Sequence, residues 1–399
     1  MIDWTVLGVA VLAILAGFGH FIYPMLLYFF TRARRSQDPP EVKAWPSVSV
    51  VVSAYRESAV INAKISDVFA NGYLGNLEVI VVADDPDTAR VARSTSAQVI
   101  ESSGRSGKAA ALNVGMAQAA NEIVVFSDAN TGLKPRSIEA LARWFEDPTV
   151  GAVAGEKYVG GAKGMSAYWR FESWIKKHES LTGTTIGLVG ELAAVRRSLY
   201  KPLPEDVTLD DLWLALDVIE GGGRIVYEPE AVAFESASPT WGDEWKRRKR
   251  VVTGTLDLLW RRRALLGPRY PIVAAQLWGH RLVRSSIGPL AHLALLLVAL
   301  INLSSSLTAQ AFVAGHIVAG LALAGVLTGV VNAAPAKLMA HVLFLQGTAL
   351  GGVVGYAKGR RPALWEKSER IPAGDRLQVL WEAKSELVLD EVRLQDVPR

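Results

Sequence analysis

The chain has 399 residues, of which 50% are hydrophobic, and its mean hydropathy is positive. It contains no cysteine, which excludes disulfides and thiolate metal sites. The net charge is only +4, but the basic residues cluster beside apolar runs. That arrangement indicates lipid headgroups at a cytosolic membrane face and argues against nucleic acid as a partner.

The chain begins with an apolar segment, from Trp4 to Phe30. Its length is sufficient to cross a bilayer core of ~30 Å, so residues 1–31 are predicted to form a transmembrane helix. Arg32, Arg34 and Arg35 follow at once, within a basic linker over residues 32–46. The positive-inside rule then predicts an external amino terminus and a cytosolic domain attached to the inner membrane of the cell.

The pattern changes at Ser47. Three apolar runs predict buried strands, namely Val48–Val52, Leu77–Val82 and Glu122–Phe126. Helix-like stretches lie between them, near 59–71 and 108–120. Alternating strands and helices predict a parallel, doubly wound sheet with helices on both faces. Ligands of such sheets bind at the carboxyl ends of the strands, and polar residues follow each of these three runs.

A second apolar region follows residue 240. The predicted order is a cytosolic domain over 47–254, interfacial amphipathic helices over 255–286, transmembrane segments over 287–357 and a polar tail over 358–399. Three apolar segments after a cytosolic domain would put the basic tail outside, against the charge rule. The number of true spans and the side of the tail therefore stay open, although a multi-pass protein is expected.

Asp128 and Asn130 follow the third predicted strand. A hard cation held by one or two side-chain oxygens and by phosphates is a common way to bind a diphosphate. Asp128 would be a metal ligand and Asn130 could supply an amide oxygen. The alternative is a turn in which both side chains bond to the backbone.

Gly104 to Lys108 precedes a helix-like stretch. A turn that carries a lysine and opens a helix suits a diphosphate, because backbone amides and the helix dipole point at the anion. The spacing differs from that of a P-loop. An ordinary helix start explains the same residues.

Two further clusters carry charge. Asp210 and Asp211 are adjacent carboxylates, one of which could take the proton from an acceptor hydroxyl, although helix capping explains them equally. The basic run from Lys246 to Arg250 could bind phosphate oxygens through arginine forks, or lipid headgroups.

In this order, these segments resemble the family 2 inverting glycosyltransferases, in the membrane branch that holds cellulose, hyaluronan, chitin and poly-N-acetylglucosamine synthases. The resemblance runs from about Ser47 to Gly254. It implies an α/β fold with a GT-A-type, doubly wound, mostly parallel sheet in a cytosolic domain that is flanked by transmembrane helices.

The resemblance also implies roles for individual residues. Asp211 matches the catalytic base, and Asp128 with Asn130 matches the site of Mg²⁺ or Mn²⁺. Acceptor binding is implied for Gly190, Glu191 and Asp210. Nucleotide binding is implied for Ala54, Tyr55, Glu57, Asp84, Lys108, Asp128, Arg247 and Arg250.

Four positions depart from the family pattern. Asn130 replaces the second metal aspartate. Glu191 stands where alanine is usual, Val189 where a polar residue is common, and Val251 where tryptophan is usual. The departures at Glu191, Val189 and Val251 concern the choice of acceptor and processivity more than sugar transfer itself.

The implied function is transfer of a sugar from a UDP-sugar to a glycan or glycolipid acceptor, with β-linkages in an extracellular or cell-surface polysaccharide. Membrane lipids are the other expected partners. One alternative is a non-processive enzyme that glycosylates ceramide or a polyprenyl lipid. Another is an inactive nucleotide-binding subunit of a secretion complex.

Overall fold

The computed structural model describes residues 4–35, 37–102, 106–160, 163–236 and 240–359. The chain divides into two compact units. The helical unit lies within residues 1–32 and 240–362, and the sheet unit within 33–239. Each is described separately below.

The sheet unit contains eight strands and the helical unit contains the longest apolar helices. The strands are β1 (Val48–Ala54), β2 (Leu77–Ala83), β3 (Gln98–Glu101), β4 (Ile123–Asp128), β5 (Gly132–Leu133), β6 (Val150–Gly160), β7 (Leu192–Arg196) and β8 (Arg224–Ser236). The helices are α1 (Trp4–Gly17), α2 (Tyr23–Thr31), α3 (Ile61–Phe69), α4 (Pro86–Ala92), α5 (Lys108–Gln118), α6 (Ser137–Ala142), α7 (Lys163–Ser180), α8 (Asp210–Glu220), α9 (Trp241–Arg261), α10 (Pro271–Gln276), α11 (Gly288–Ile301), α12 (Leu307–Leu327) and α13 (Ala334–Ala357). Short 3₁₀ turns occur at Arg143–Glu146, Arg197–Leu199 and Arg263–Leu266.

The eight strands form one mixed sheet in the order β3-β2-β1-β4-β7-β6-β8-β5. Parallel pairs join β1 to β2 and β4, β2 to β3, and β6 to β8. β7 runs antiparallel to β4 and β6, and β5 runs antiparallel to β8. The predicted mostly parallel α/β sheet is therefore confirmed, with an antiparallel strand inserted at its centre.

Helices pack on both faces of the sheet because β1 is apolar on both sides. Val50 and Val52 belong to the same buried cluster as Ile61 and Ile65 of α3. On the other face, α5 approaches β1 so closely that a methyl group at Gly115 would lie 2.3 Å from Val51 Cγ1. Burial of each Val or Ile stabilises the fold by roughly 1.5–3 kcal/mol.

The three predicted strands and two predicted helices are all present, with shifts of one or two residues at their ends. β1 and β4 run two residues further than predicted, to Ala54 and Asp128. α5 begins at Lys108, as predicted. The polar residues after the strands therefore start immediately at the edge of the sheet.

Within the described residues, the helical unit has four helices that are long and apolar enough to cross a membrane: Val6–Thr31, Pro271–Ile301, Leu307–Leu327 and Ala334–Ala357. Membrane association follows from their length and composition. The second of them starts inside the stretch predicted to be interfacial. The depth and orientation of each helix stay predictions, and residues 360–399 of the predicted tail lie outside the described residues.

Two of these helices contain π-helical segments, Phe18–Ile22 and Leu277–Ile287. Glycines bring them together. A methyl group at Gly19 would lie 2.4 Å from Arg284 Cβ, and one at Gly279 would lie 2.2 Å from Tyr23 Cδ2. Small residues permit this close backbone approach between apolar helices. The first helix therefore packs against the second through complementary surfaces.

The contact between Gly115 and Val51 can be tested by Gly115→Ala. Alanine normally stabilises a helix interior by about 1 kcal/mol relative to glycine. Here the added methyl group overpacks against Val51, which costs about 1–3 kcal/mol. We expect the apparent unfolding temperature of the purified full chain to fall by a few degrees.

Val51→Ala provides the matched second variant, because it removes the atom that the new methyl group meets. The double variant should be less destabilised than the sum of the two single variants. Strict additivity would contradict the close approach of α5 to β1.

Candidate active site

The polar residues that follow the strands meet at one edge of the sheet. β1, β2 and β4 are parallel, so their carboxyl ends lie side by side. β7 is antiparallel to β4, with Ser127 opposite Leu192, so β7 begins at the edge where β4 ends. Residues just after β4 therefore lie beside residues just before β7, including Gly190 and Glu191.

The ammonium group of Lys108 lies at the centre of this edge. Its Nζ is 2.7 Å from Asp128 Oδ1 and 3.6 Å from Asp210 Oδ2. It also donates a hydrogen bond of 3.1 Å to the carbonyl oxygen of Gly190. One side chain thus joins α5, the end of β4, the start of α8 and the segment before β7.

Asp211 borders the same cleft. A methyl group added at Gly190 would lie 3.2 Å from Lys108 Nζ and 3.9 Å from Asp211 Oδ2. Oδ1 of Asp211 accepts a hydrogen bond of 2.7 Å from the Leu212 N–H. Asp128 and Asp211 are therefore on the same side of the sheet unit, and glycine at position 190 keeps the space between them free.

The cleft holds more carboxylates than cations. Burial raises the pKa of Asp128; Lys108 opposes the increase, while Glu191 and Asp210 add to it. Burial alone would lower the pKa of Lys108, but Asp128 and Asp210 outweigh it and raise that pKa above its usual value. Lys108 therefore stays charged, and an additional cation near Asp128 would be stabilised.

The oxygen atoms present fit a divalent cation that arrives with phosphates. Within the described ranges, no group of three or more His, Cys, Asp or Glu residues could hold a metal by itself. Asp128 and the half-buried Asn130 supply a carboxylate and an amide oxygen. Mg²⁺ usually takes one or two side-chain oxygens and completes its shell with substrate phosphates and water.

Asp84, predicted to bind the nucleoside, organises the turn before α5. Its Oδ2 accepts hydrogen bonds from the Gly107 N–H at 3.0 Å and the Ser106 N–H at 3.2 Å, and Oδ1 accepts from Ser102 Oγ at 2.5 Å. Gly107 has φ 86°, a conformation that favours glycine. Gly104 and Arg105 of the predicted diphosphate turn lie outside the described residues.

The turn after β1 is fixed by β2 and α4. Ala54 is buried at the end of β1, and the Arg56 N–H donates a hydrogen bond of 2.5 Å to Asp85 Oδ2. The guanidinium of Arg56 lies 5.3 Å from the centre of the Tyr55 ring. Glu57 is only 7% exposed, and its N–H donates to Thr88 Oγ1 at 2.9 Å. Ala54, Tyr55 and Glu57 thus line the strand edge as predicted, while their contact with a nucleotide stays a prediction.

Lys64, which the sequence analysis did not single out, stabilises the end of β4 through buried hydrogen bonds. It is 3% exposed and donates hydrogen bonds to Ser127 Oγ at 2.7 Å and to Thr131 O at 3.0 Å. Ser127 Oγ in turn donates to Glu191 O at 3.1 Å. Burial lowers the pKa of Lys64 to about 8, partly opposed by Asp67 and Asp128. Its sequence signal is a lysine on the otherwise apolar face of α3.

Glu191 takes part in a buried ion-pair cluster. Lys157 of β6, only 6% exposed in its side chain, contacts the carboxylates of both Glu191 and Glu235. Burial alone would raise the pKa of Glu191, but Lys157 outweighs it and lowers that pKa to about 2. The unusual glutamate at position 191 therefore comes with a lysine partner, which the sequence reasoning also missed.

Arg247 and Arg250 lie on α9 of the helical unit. Arg247 donates two hydrogen bonds to Glu244, of 2.9 Å from Nε and 2.8 Å from Nη2. Arg248 Nε donates to the same carboxylate at 2.5 Å. Their predicted contact with a diphosphate stays a prediction.

Comparison with known proteins identifies the sheet unit. Residues 49–203 match the model of Glycosyl transferase family 2, and this range contains Asp84, Lys108, Asp128 and Glu191. Residues 49–203 therefore form a glycosyl transferase family 2 segment. The mostly parallel sheet described above is accordingly a GT-A-like domain, as the sequence resemblance implied.

Two curated relatives are similar to this chain. The poly-β-1,6-N-acetyl-D-glucosamine synthase of Staphylococcus aureus (strain COL) is 25% identical over 262 residues, which cover 61% of this chain. The synthase of Staphylococcus epidermidis is 24% identical over the same length. The match spans 63% of the length of each of these relatives. They establish a distant homology to this class of synthase.

One solved glycosyltransferase structure resembles most of the chain. The mannosyltransferase of Pyrobaculum calidifontis, in complex with GDP-Man and Mn²⁺, superposes with a TM-score of 0.69 at 25% identity. The match covers 88% of this chain and 99% of the mannosyltransferase chain. The likeness therefore extends beyond the family-matched segment.

The ion pair at the centre of the cleft can be tested by a double-mutant cycle. Lys108→Met leaves Asp128 with a buried, uncompensated charge, which costs about 3–5 kcal/mol. Asp128→Asn in the same chain removes that charge. We expect the double variant to unfold at a higher temperature than Lys108→Met alone. A double variant as unstable as the sum of both single variants would contradict the pairing.

Proposed function

We propose that this chain transfers a sugar from a nucleoside-diphosphate sugar to an acceptor hydroxyl, with inversion at the anomeric carbon. The observation that carries the proposal is the meeting of Asp128, Asp210 and Gly190 at the ammonium of Lys108. Asp211 borders the same space. A cation-binding carboxylate and a candidate base thus face one cleft, which a single displacement requires.

The donor side of the cleft suits a diphosphate. Lys108 stays charged and begins helix α5, so its ammonium and the helix amino terminus both favour an anion. Asp128 and Asn130 would hold Mg²⁺ or Mn²⁺, which when bound stabilises the negative charge that develops on the leaving diphosphate. The mannosyltransferase of similar fold was solved with a nucleotide sugar and Mn²⁺, which supports this assignment.

Residues of this chain can take the proton and hold the leaving group of the transfer step. The acceptor oxygen forms a bond to the anomeric carbon while the bond from that carbon to the diphosphate oxygen breaks. The carboxylate of Asp211 takes the proton of the acceptor hydroxyl, and Lys108 helps to hold the departing nucleoside diphosphate. One displacement converts an α-linked donor into a β-linked product.

The product that we propose is a β-linked polysaccharide made from a UDP-sugar on the cytosolic side of the inner membrane. The homology to poly-β-1,6-N-acetyl-D-glucosamine synthases supports this choice. The four apolar helices support a membrane location, from which the growing polysaccharide can be exported.

The second candidate is a single addition to a lipid acceptor. It is favoured by Val251, which stands where the family pattern has a tryptophan that would stack on a sugar. The buried cluster of Lys157, Glu191 and Glu235 also makes the acceptor region differ from the small residues expected for a polymer-forming enzyme. The two candidates share the donor site and differ in their products.

A donor screen tests the proposal. The purified full chain is supplied with UDP-glucose, UDP-N-acetylglucosamine, UDP-glucuronate, UDP-galactose and GDP-mannose, and released nucleoside diphosphate is measured. We expect release from one UDP-sugar, loss of release when a chelator removes divalent ions, and recovery with Mg²⁺ or Mn²⁺. Release from GDP-mannose alone would overturn the uridine assignment, and release from none would favour the inactive subunit.

Product mass from the same reactions separates the two candidates. A ladder of masses that differ by one sugar residue supports polysaccharide synthesis. A single added sugar on a lipid extracted from the membrane supports the second candidate.

Asp211→Asn tests the catalytic base. The amide keeps the size of the side chain but accepts a proton poorly, so transfer should fall by about 10²–10⁴-fold while nucleotide affinity is kept. The readouts are turnover and nucleoside-diphosphate binding by calorimetry. Glu220→Gln, at the exposed far end of α8, is the control. A loss of less than about tenfold would remove Asp211 from the base role.

A further inference from the structure

The helical unit contains a cavity of about 270 Å³ between α9, α11, α12 and α13. This volume is far larger than a single water molecule requires. Most of the lining is apolar, including Leu293, Leu296, Leu323, Leu343, Phe344 and Leu350. A cavity with this lining excludes water and accepts hydrocarbon.

Two histidines on neighbouring helices introduce polarity into the wall. His292 of α11 and His316 of α12 both line the cavity, and their Nε2 atoms are 2.8 Å apart. His316 Nδ1 lies 2.8 Å from the carbonyl oxygen of Phe312. That carbonyl can only accept a hydrogen bond, so the proton of neutral His316 is on Nδ1.

The position of this proton fixes which histidine donates in the hydrogen bond between His292 and His316. With its proton on Nδ1, His316 can only accept at Nε2, so His292 Nε2 carries a proton and donates to it. Neutral His292 therefore has an unprotonated Nδ1, which is a hydrogen-bond acceptor.

Gln346 of α13 supplies a second acceptor in the same wall. Its Oε1 is buried and has no hydrogen-bond partner within the part of the chain that the structure describes. A buried acceptor without a donor is unfavourable. The Gln346 oxygen thus lacks a donor in this wall.

We propose that this cavity binds a lipid with a free hydroxyl group. The O–H donates to the acceptor on His292 or Gln346, and the attached hydrocarbon chain packs against the leucines. A phosphodiester or carboxylate headgroup only accepts and would leave the Gln346 oxygen without a donor. A glycan carries many hydroxyls, most of which would have no partner among the leucine side chains. The proposal is independent of the transfer chemistry.

A photolabelling experiment with a matched pair of competitors tests the proposal. The purified full chain in detergent is labelled with 1-decanol that carries a diazirine in its chain, and labelled peptides are identified by mass spectrometry. We expect labels in α11, α12 or α13. Unlabelled 1-decanol should compete at about tenfold lower concentration than decyl methyl ether, which lacks only the donor. Equal competition by the two compounds, or labels confined to other segments, would overturn the proposal.

Variants separate the hydroxyl contact from the apolar space. The double variant His292→Leu with Gln346→Leu should keep the label but abolish the preference for the alcohol over the ether. Leu343→Trp fills the cavity and should remove the label altogether. Leu300→Ala, on α11 but outside the lining, is the control and should change neither. A preference that survives in the double variant would contradict the proposal, and the wild-type comparison decides it even where a variant fails to fold.

Discussion

The ammonium of Lys108 is the interaction on which the site depends. It draws together three segments that are far apart in sequence, and each of them carries negative charge or a carbonyl dipole. Without a central cation, Asp128 and Asp210 would repel each other in a poorly solvated cleft. In the proposed function, the same charge that holds the edge of the sheet together also attracts the phosphates of a donor.

A second layer of buried lysines supports this edge. Lys64 holds the end of β4 through Ser127, and Lys157 holds Glu191 at the start of β7. Buried lysines are rare unless they are paired, and both are bonded on several sides. The end of β4 and the carboxylate of Glu191 are therefore held by neighbours that are almost fully buried. These buried lysines can keep the oxygens of Asp128 and Glu191 in position while ligands bind and dissociate.

Much of the sheet unit could be predicted from its sequence. The apolar runs at β1, β2 and β4 are strong because parallel strands are buried on both faces. Asp84 and Asp128 were singled out by their position after those strands, and Lys108 by its place in a turn before a helix-like stretch. Lys64 and Lys157 were missed because their partners come from distant segments, and periodicity within one element carries no information about them. β7 was missed as well, since its five residues resemble any short apolar run.

The contact between the two π-helical segments bears on the order in which the molecule assembles. The first apolar helix leaves the ribosome more than two hundred residues before the helix that contains Gly279 and Arg284. Gly19 and Tyr23 therefore have no matching surface during synthesis of the entire sheet unit. The amino-terminal helix therefore lacks this packing contact until the later helix has been synthesised. The two π-helical segments can pack together only late in biogenesis.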